Sequence, residues 1–151
     1  MRVRKNRIAA SLSVLAMTVV SMVVVGASPA SAAEGDSFSV WTAHIVDYGC
    51  GLGEFRDYGP GADGGGNNDD YIYIKDYCGD GHGVRVWAWQ NGYYLGSTYL
   101  GGGYQSDKVW DPFFNNNVRT GDSVKVKVCR VDGPNGAGFD CAEDRNVSAD
   151  G

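Results

Sequence analysis

Positive charge is scarce in this sequence. It has 13 Lys and Arg against 18 Asp and Glu, and four of the basic residues (Arg2, Arg4, Lys5 and Arg7) crowd the N-terminus. Beyond position 32 the chain holds all 18 acidic residues and only 9 basic ones, a net charge of −9. Binding a phosphate backbone needs clustered Lys and Arg, so a nucleic acid is not expected as partner. Catalytic chemistry is equally thin. The two histidines are His44 and His82, and there is no G-x-S-x-G nucleophile motif. His44 and Asp47 share one β-rich stretch but point to opposite faces, and His82 lies in GDGHG, read as a solvated turn. Adjacent carboxylates such as Asp69 and Asp70 also diverge on a strand. An enzyme is therefore not expected.

Long apolar runs are missing after Gly26. The one such run, from Ile8 to Gly26, follows the basic N-terminus and precedes Ala30-Ser31-Ala32. A positive start, an apolar middle and an A-x-A site are the parts of a secretory signal peptide. Residues 1–32 are thus read as a cleaved leader and 33–151 as one secreted domain, with no membrane insertion after cleavage. The four cysteines, Cys50, Cys78, Cys129 and Cys141, are even in number, and in an exported chain they imply two disulfides. Three pairings are open; Cys50–Cys78 with Cys129–Cys141 is preferred because each closes a local loop. No C-x2-C pair occurs, which argues against zinc.

Helix signals are nearly absent and strand signals recur. Phe38 to Val46 is β-rich with apolar groups on both faces. Tyr71 to Cys78 alternates, placing Tyr71, Tyr73 and Tyr77 on one side. Val84 to Gln90 and Tyr93 to Leu100 flank Asn91-Gly92, the commonest hairpin turn. A short strand is expected within Gln105 to Trp110. Ser123 to Val131 points Val124, Val126 and Val128 inward and Lys125 and Lys127 outward. The polar run from Glu143 is expected to fray. Some seven short strands with 22 glycines after the leader predict an all-β fold, a small antiparallel β-sandwich, immunoglobulin-like in architecture only.

The hairpin carries the candidate binding residues. Val84, Val86 and Ala88 share one face; Arg85, Trp87 and Trp89 share the other. Large indoles are most often core, and that reading is favoured. The alternative is an exposed recognition patch of Trp87 or Trp89 with Tyr93 or Tyr94. Phe38 to Val46 opens the mature chain and is expected at a sheet edge, where Phe38, Val40 and Trp41 could dock a partner strand. An ordinary edge strand is the competing reading. Residues 49–70 form a Gly- and Asp-rich loop in which Asp63, Asn67, Asp69 and Asp70 could hold calcium, resembling one copy of a β-roll nonapeptide with Asn67 in place of glycine. No cofactor is expected beyond this weak calcium candidate.

The segments CGDGHGVRVWAW, VWDPF and SVKVKVCRVDG resemble small secreted actinobacterial proteins built of a signal peptide and one two-disulfide β domain. By size and plan the chain is also similar to the small adaptor subunit of streptomycete umbrella toxin particles. There the adaptor attaches a lectin-like subunit to a large repeat-containing toxin subunit. That resemblance implies a secreted, non-enzymatic adaptor whose partners are other secreted subunits, and it carries over no site residue. A carbohydrate-binding module with a polysaccharide partner is the alternative, and a small secreted enzyme or enzyme inhibitor is the third reading.

Overall fold

The computed structural model describes residues 36–43, 49–57, 70–113 and 117–149. Residues 1–32, read above as a leader, and with them His44, Asp47, the end of the first β-rich stretch and three of the calcium candidates (Asp63, Asn67 and Asp69) lie outside the described residues. Among the described residues, eight strands run in chain order: β1 Phe38–Trp41, β2 Gly51–Asp57, β3 Asp70–Asp76, β4 Gly83–Gln90, β5 Tyr93–Leu100, β6 Asp107–Trp110, β7 Ser123–Val131 and β8 Gly138–Val147. They form two four-stranded sheets, ordered β1-β2-β3-β6 and β5-β4-β7-β8. Every pairing is antiparallel. The expected all-β sandwich is therefore what forms, with one strand more than the seven anticipated.

Alternation builds the core. Val40, Phe55, Ile72 and Ile74 face inward from the first sheet. Val84, Val86, Ala88, Leu100, Val124, Val126 and Val128 meet them from the second, with Phe113 and Val118 closing one side. Each such Val, Ile or Phe contributes roughly 1.5–3 kcal/mol on burial. Phe55 anchors the layer, touching Phe38 at 5.8 Å and Phe113 edge-on at 5.5 Å between centroids. Two glycines of β2 set the sheet spacing. A Cβ on Gly51 would lie 2.8 Å from a Val84 methyl, and one on Gly53 would lie 3.1 Å from Val86.

Both preferred disulfides are present. Cys50–Cys78 joins the start of β2 to the segment after β3, and Cys129–Cys141 clamps β7 to β8. Such bonds belong to an oxidising compartment. Among the described residues no helix is long and apolar enough to cross a membrane.

One expectation fails. The run from Glu143 does not fray: it continues β8, pairing Glu143 with Lys127, Arg145 with Lys125 and Val147 with Ser123. Beyond the strand, Ser148 and Ala149 donate to the Asp36 carboxylate. The physical reason is position. An edge strand takes its main-chain bonds from one neighbour and leaves charged side chains in water, so a polar sequence suits it.

Candidate functional site

The β4–β5 hairpin turns on Asn91 (φ 52°) and Gly92 (φ 83°). Positive φ at both central residues is the type I′ geometry that matches strand twist. On β4, Val84, Val86 and Ala88 are buried, while Arg85, Trp87 and Trp89 are half-buried on the outer side of the sheet. The favoured core placement of the two indoles is thus corrected. Val84, Val86 and Ala88 alternate with the rings along β4 and take the inner side, so the rings stand on the outer one.

What half-buries them is charge. Each indole lies across the β4–β7 pairing from a lysine: Trp89 opposite Lys125 and Trp87 opposite Lys127. Lys125 Nζ sits 3.8 Å from the Trp89 ring centroid and Lys127 Nζ 5.5 Å from that of Trp87. The Arg85 guanidinium lies 5.9 Å from both Trp87 and Tyr99. Tyr94, 57% exposed, flanks Trp89 at 5.6 Å. Tyr94 and Tyr99 are five residues apart, a spacing that separates them in a regular strand. A register shift opposite Ala88/Trp89, with Gly96 at φ 134°, restores both to the outer side. Across β8, Arg145 donates to Ser123 Oγ at 2.8 Å. With Trp89, Gly92 and Lys125 these two residues line a hollow of about 210 Å³.

The opposite face of the sandwich repeats this chemistry on different strands. The Arg56 guanidinium lies 4.4 Å from the Tyr73 centroid and 5.9 Å from that of Tyr71. It is paired with Glu54 at 2.8 Å. Burial works against its charge, but the bonds to Glu54 and Tyr71 outweigh that and raise its pKa. Burial also raises the pKa of the Tyr73 hydroxyl, with Asp107 adding to the effect. Lys75 Nζ lies 5.1 Å over Tyr77, which is tilted against Trp41 at 5.1 Å. The outward Tyr71, Tyr73 and Tyr77 agree with the alternation in the sequence; their cationic neighbours were not legible there.

The other candidates separate. Phe38 packs against the core and Val40 is 4% exposed, so neither presents a surface; Trp41, at 38%, does. β1 is the expected edge strand, but it is tied to the other sheet at both ends. Asn146 Nδ2 donates to the Asp36 carbonyl, and the Ala43 N–H donates to the Asp140 carbonyl. That arrangement fits the ordinary edge strand. Tyr93 points away from Trp89 and Tyr94, into a separate groove beside Gln90 and Asp122. Asp70 is buried and its Oδ2 accepts from the Val118 N–H at 2.5 Å.

Near the disulfides, Arg130 bridges Asp80 (2.5 Å) and Asp140 (2.8 Å), and His82 Nδ1 meets Asp132 Oδ1 at 2.5 Å. Burial opposes ionisation of Asp80, but the His82 N–H and Arg130 together lower its pKa. This network joins the loop before β4 to the β7–β8 hairpin. Asp80 also lies near the sulfurs of Cys50 and Cys78, but those sulfurs are bonded to each other and offer no thiolate to a metal. No family model, curated protein or solved structure matches the chain.

Proposed function

We propose that the protein is a secreted, non-enzymatic adaptor that joins two partners of an extracellular assembly. One observation carries the reading: the two opposite outer faces of the sandwich each bear a ladder of aromatic rings interleaved with cations. Trp87, Trp89, Tyr94, Lys125 and Lys127 form one ladder, and Trp41, Tyr71, Tyr73, Tyr77, Arg56 and Lys75 the other. Aromatic and arginine side chains are the residues most often found as interface anchors. Two such faces, back to back across one rigid core, are what a linker between two subunits needs. An antibacterial particle of the umbrella type, whose small adaptor subunit the chain resembles in size and plan, is an assembly of this plan. The leader and the two disulfides fit an extracellular site of action.

The experiment is co-purification from culture medium at low salt, with wild type, Trp89→Ala and Tyr73→Ala in parallel. The expected result is two large partners with the wild type, a different one lost from each variant, and cooperative melting of both variants within about 8 °C of wild type. A lone monomer from the wild type, or loss of the same partner from both variants, overturns the reading.

A further inference from the structure

The groove beside Tyr93 is chemically unlike both ladders. It opens on the other side of the hairpin tip, between the β4–β5 turn and the segment leading into β7. It encloses about 360 Å³. That is at the small end of the range for small-ligand sites, roughly 300–1,000 Å³.

A preorganised polar network forms its floor. Asp122 Oδ1 accepts from Asn91 Nδ2 at 2.7 Å, and its Oδ2 accepts from Gln90 Nε2 at 2.9 Å and from the Arg119 N–H at 3.1 Å. The orientation of Asn91 is fixed by the main chain: the Ser123 N–H donates to its Oδ1 at 2.9 Å, so its NH₂ must turn to Asp122. The bond from Asn91 is the largest influence holding the Asp122 carboxyl below the usual carboxylate range. The floor therefore stays ionised, and the exposed Arg119 on the groove wall offsets its charge.

Two features remain open to a ligand. Gln90 and Asn91 each use one N–H of their amide on Asp122 and, among the described residues, keep a second, and Asn117 adds another amide to the wall. Above this stands Tyr93, 78% exposed, and among the described residues no other ring pairs with it. Asp122 already accepts three hydrogen bonds and its charge is offset by Arg119, so the groove presents no net charge to an ionic ligand, and a neutral polyol suits it. Its hydroxyls both donate and accept, which suits fixed planar amides, and its C–H face suits an exposed phenol ring.

We infer that this groove is a binding site for a neutral saccharide, with Tyr93 as the stacking platform and Gln90, Asn91, Asn117 and Arg119 as hydroxyl partners. The site is separate from the two ladders, and it makes the hairpin tip a sugar-reading element on a protein whose sheet faces serve other partners.

The test uses the intact mature protein and four neutral probes: chitohexaose, cellohexaose, laminarihexaose and maltohexaose. Oligogalacturonate is the charged control. Binding is followed by the side-chain amide resonances of Gln90, Asn91 and Asn117 and by calorimetry. The expected result is that one neutral probe shifts these resonances. Tyr93→Ala should then weaken it about tenfold or more. Tyr93→Phe should retain most of the affinity, Trp41→Ala should leave it unchanged, and all three variants should melt as wild type. The inference is overturned if no neutral probe moves these resonances, if Tyr93→Ala binds as wild type, or if oligogalacturonate binds more tightly than every neutral probe. Co-purification with Tyr93→Ala separates the two readings: partners that survive this variant show the adaptor function standing whatever the sugar result.

Discussion

The ammonium group of Lys125 sits 3.8 Å from the centroid of the Trp89 indole, on neighbouring strands and on the outside of the sandwich. The two residues are directly paired between β4 and β7. The pairing covers one face of the ring with a cation and leaves the rest to Tyr94 and solvent. A ring so placed contributes area and charge recognition to a surface, and little to the core.

Trp89→Ala should therefore behave as a surface change. Truncating a core tryptophan costs about 3–5 kcal/mol. Here the loss should be about 1 kcal/mol, the scale of a cation–π contact at an exposed site plus modest packing. Lys125→Ala should cost no more than that. Denaturant titration of both variants checks the point, and unfolding of Trp89→Ala in dilute buffer would return the ring to the core.

Gly51→Ala should destabilise by about 1–3 kcal/mol, the usual scale of overpacking. The added methyl would meet both Val84 methyls at 2.8 and 2.9 Å and the Thr42 methyl at 3.0 Å. All three belong to β-branched side chains, which are stiff at χ1 and cannot swing aside. Thermal melts beside Gly92→Ala, where the strain is in φ and nothing lies within 4 Å, separate crowding from backbone strain.

Replacing Cys129 and Cys141 together by alanine should cost about 2–4 kcal/mol, by release of a closed loop in the unfolded chain. β8 should then exchange amide protons faster than β2 or β3, because it is an edge strand held mainly by β7. Hydrogen exchange resolved by strand measures this. Peptide mapping without reduction should yield the Cys50–Cys78 and Cys129–Cys141 peptides only.

Acid should weaken the fold in part through Asp122 and Asp80. Both have pKa values lowered in the folded state, Asp122 chiefly by Asn91, and Asp80 by the His82 N–H and Arg130 against the opposing effect of burial. The unfolded chain takes up the proton first as pH falls, near the ordinary value of about 4. Their contribution is thus full above that pH and is lost as pH drops through the folded values. Asp76, raised by burial, acts in the opposite sense over the range just above the ordinary value. Melting temperature against pH should fall less steeply on the acid side for Asp122→Asn than for wild type, from a lower neutral plateau.

The alternation of Val124, Val126 and Val128 with Lys125 and Lys127 determined the inner and outer sides of β7 by itself. The outward Tyr71, Tyr73 and Tyr77, the Asn91-Gly92 turn and the local cysteine pairing were equally legible. All of these follow from a two-residue period or from short loops, and they depend on neighbours along the chain. Which strand lies beside which was decided only by the tertiary structure. The pairing of β4 with β7 brings Lys125 onto Trp89, and the register shift in β5 carries Tyr94 and Tyr99 to one side. The groove of Gln90, Asn91 and Asp122 joins residues 31 and 32 positions apart. β8 became a strand through its bonds to β7, despite a sequence that reads as a polar tail. Cross-strand partners are chosen by burying the valine faces of all the strands at once, and that condition belongs to the assembled sandwich rather than to any one segment.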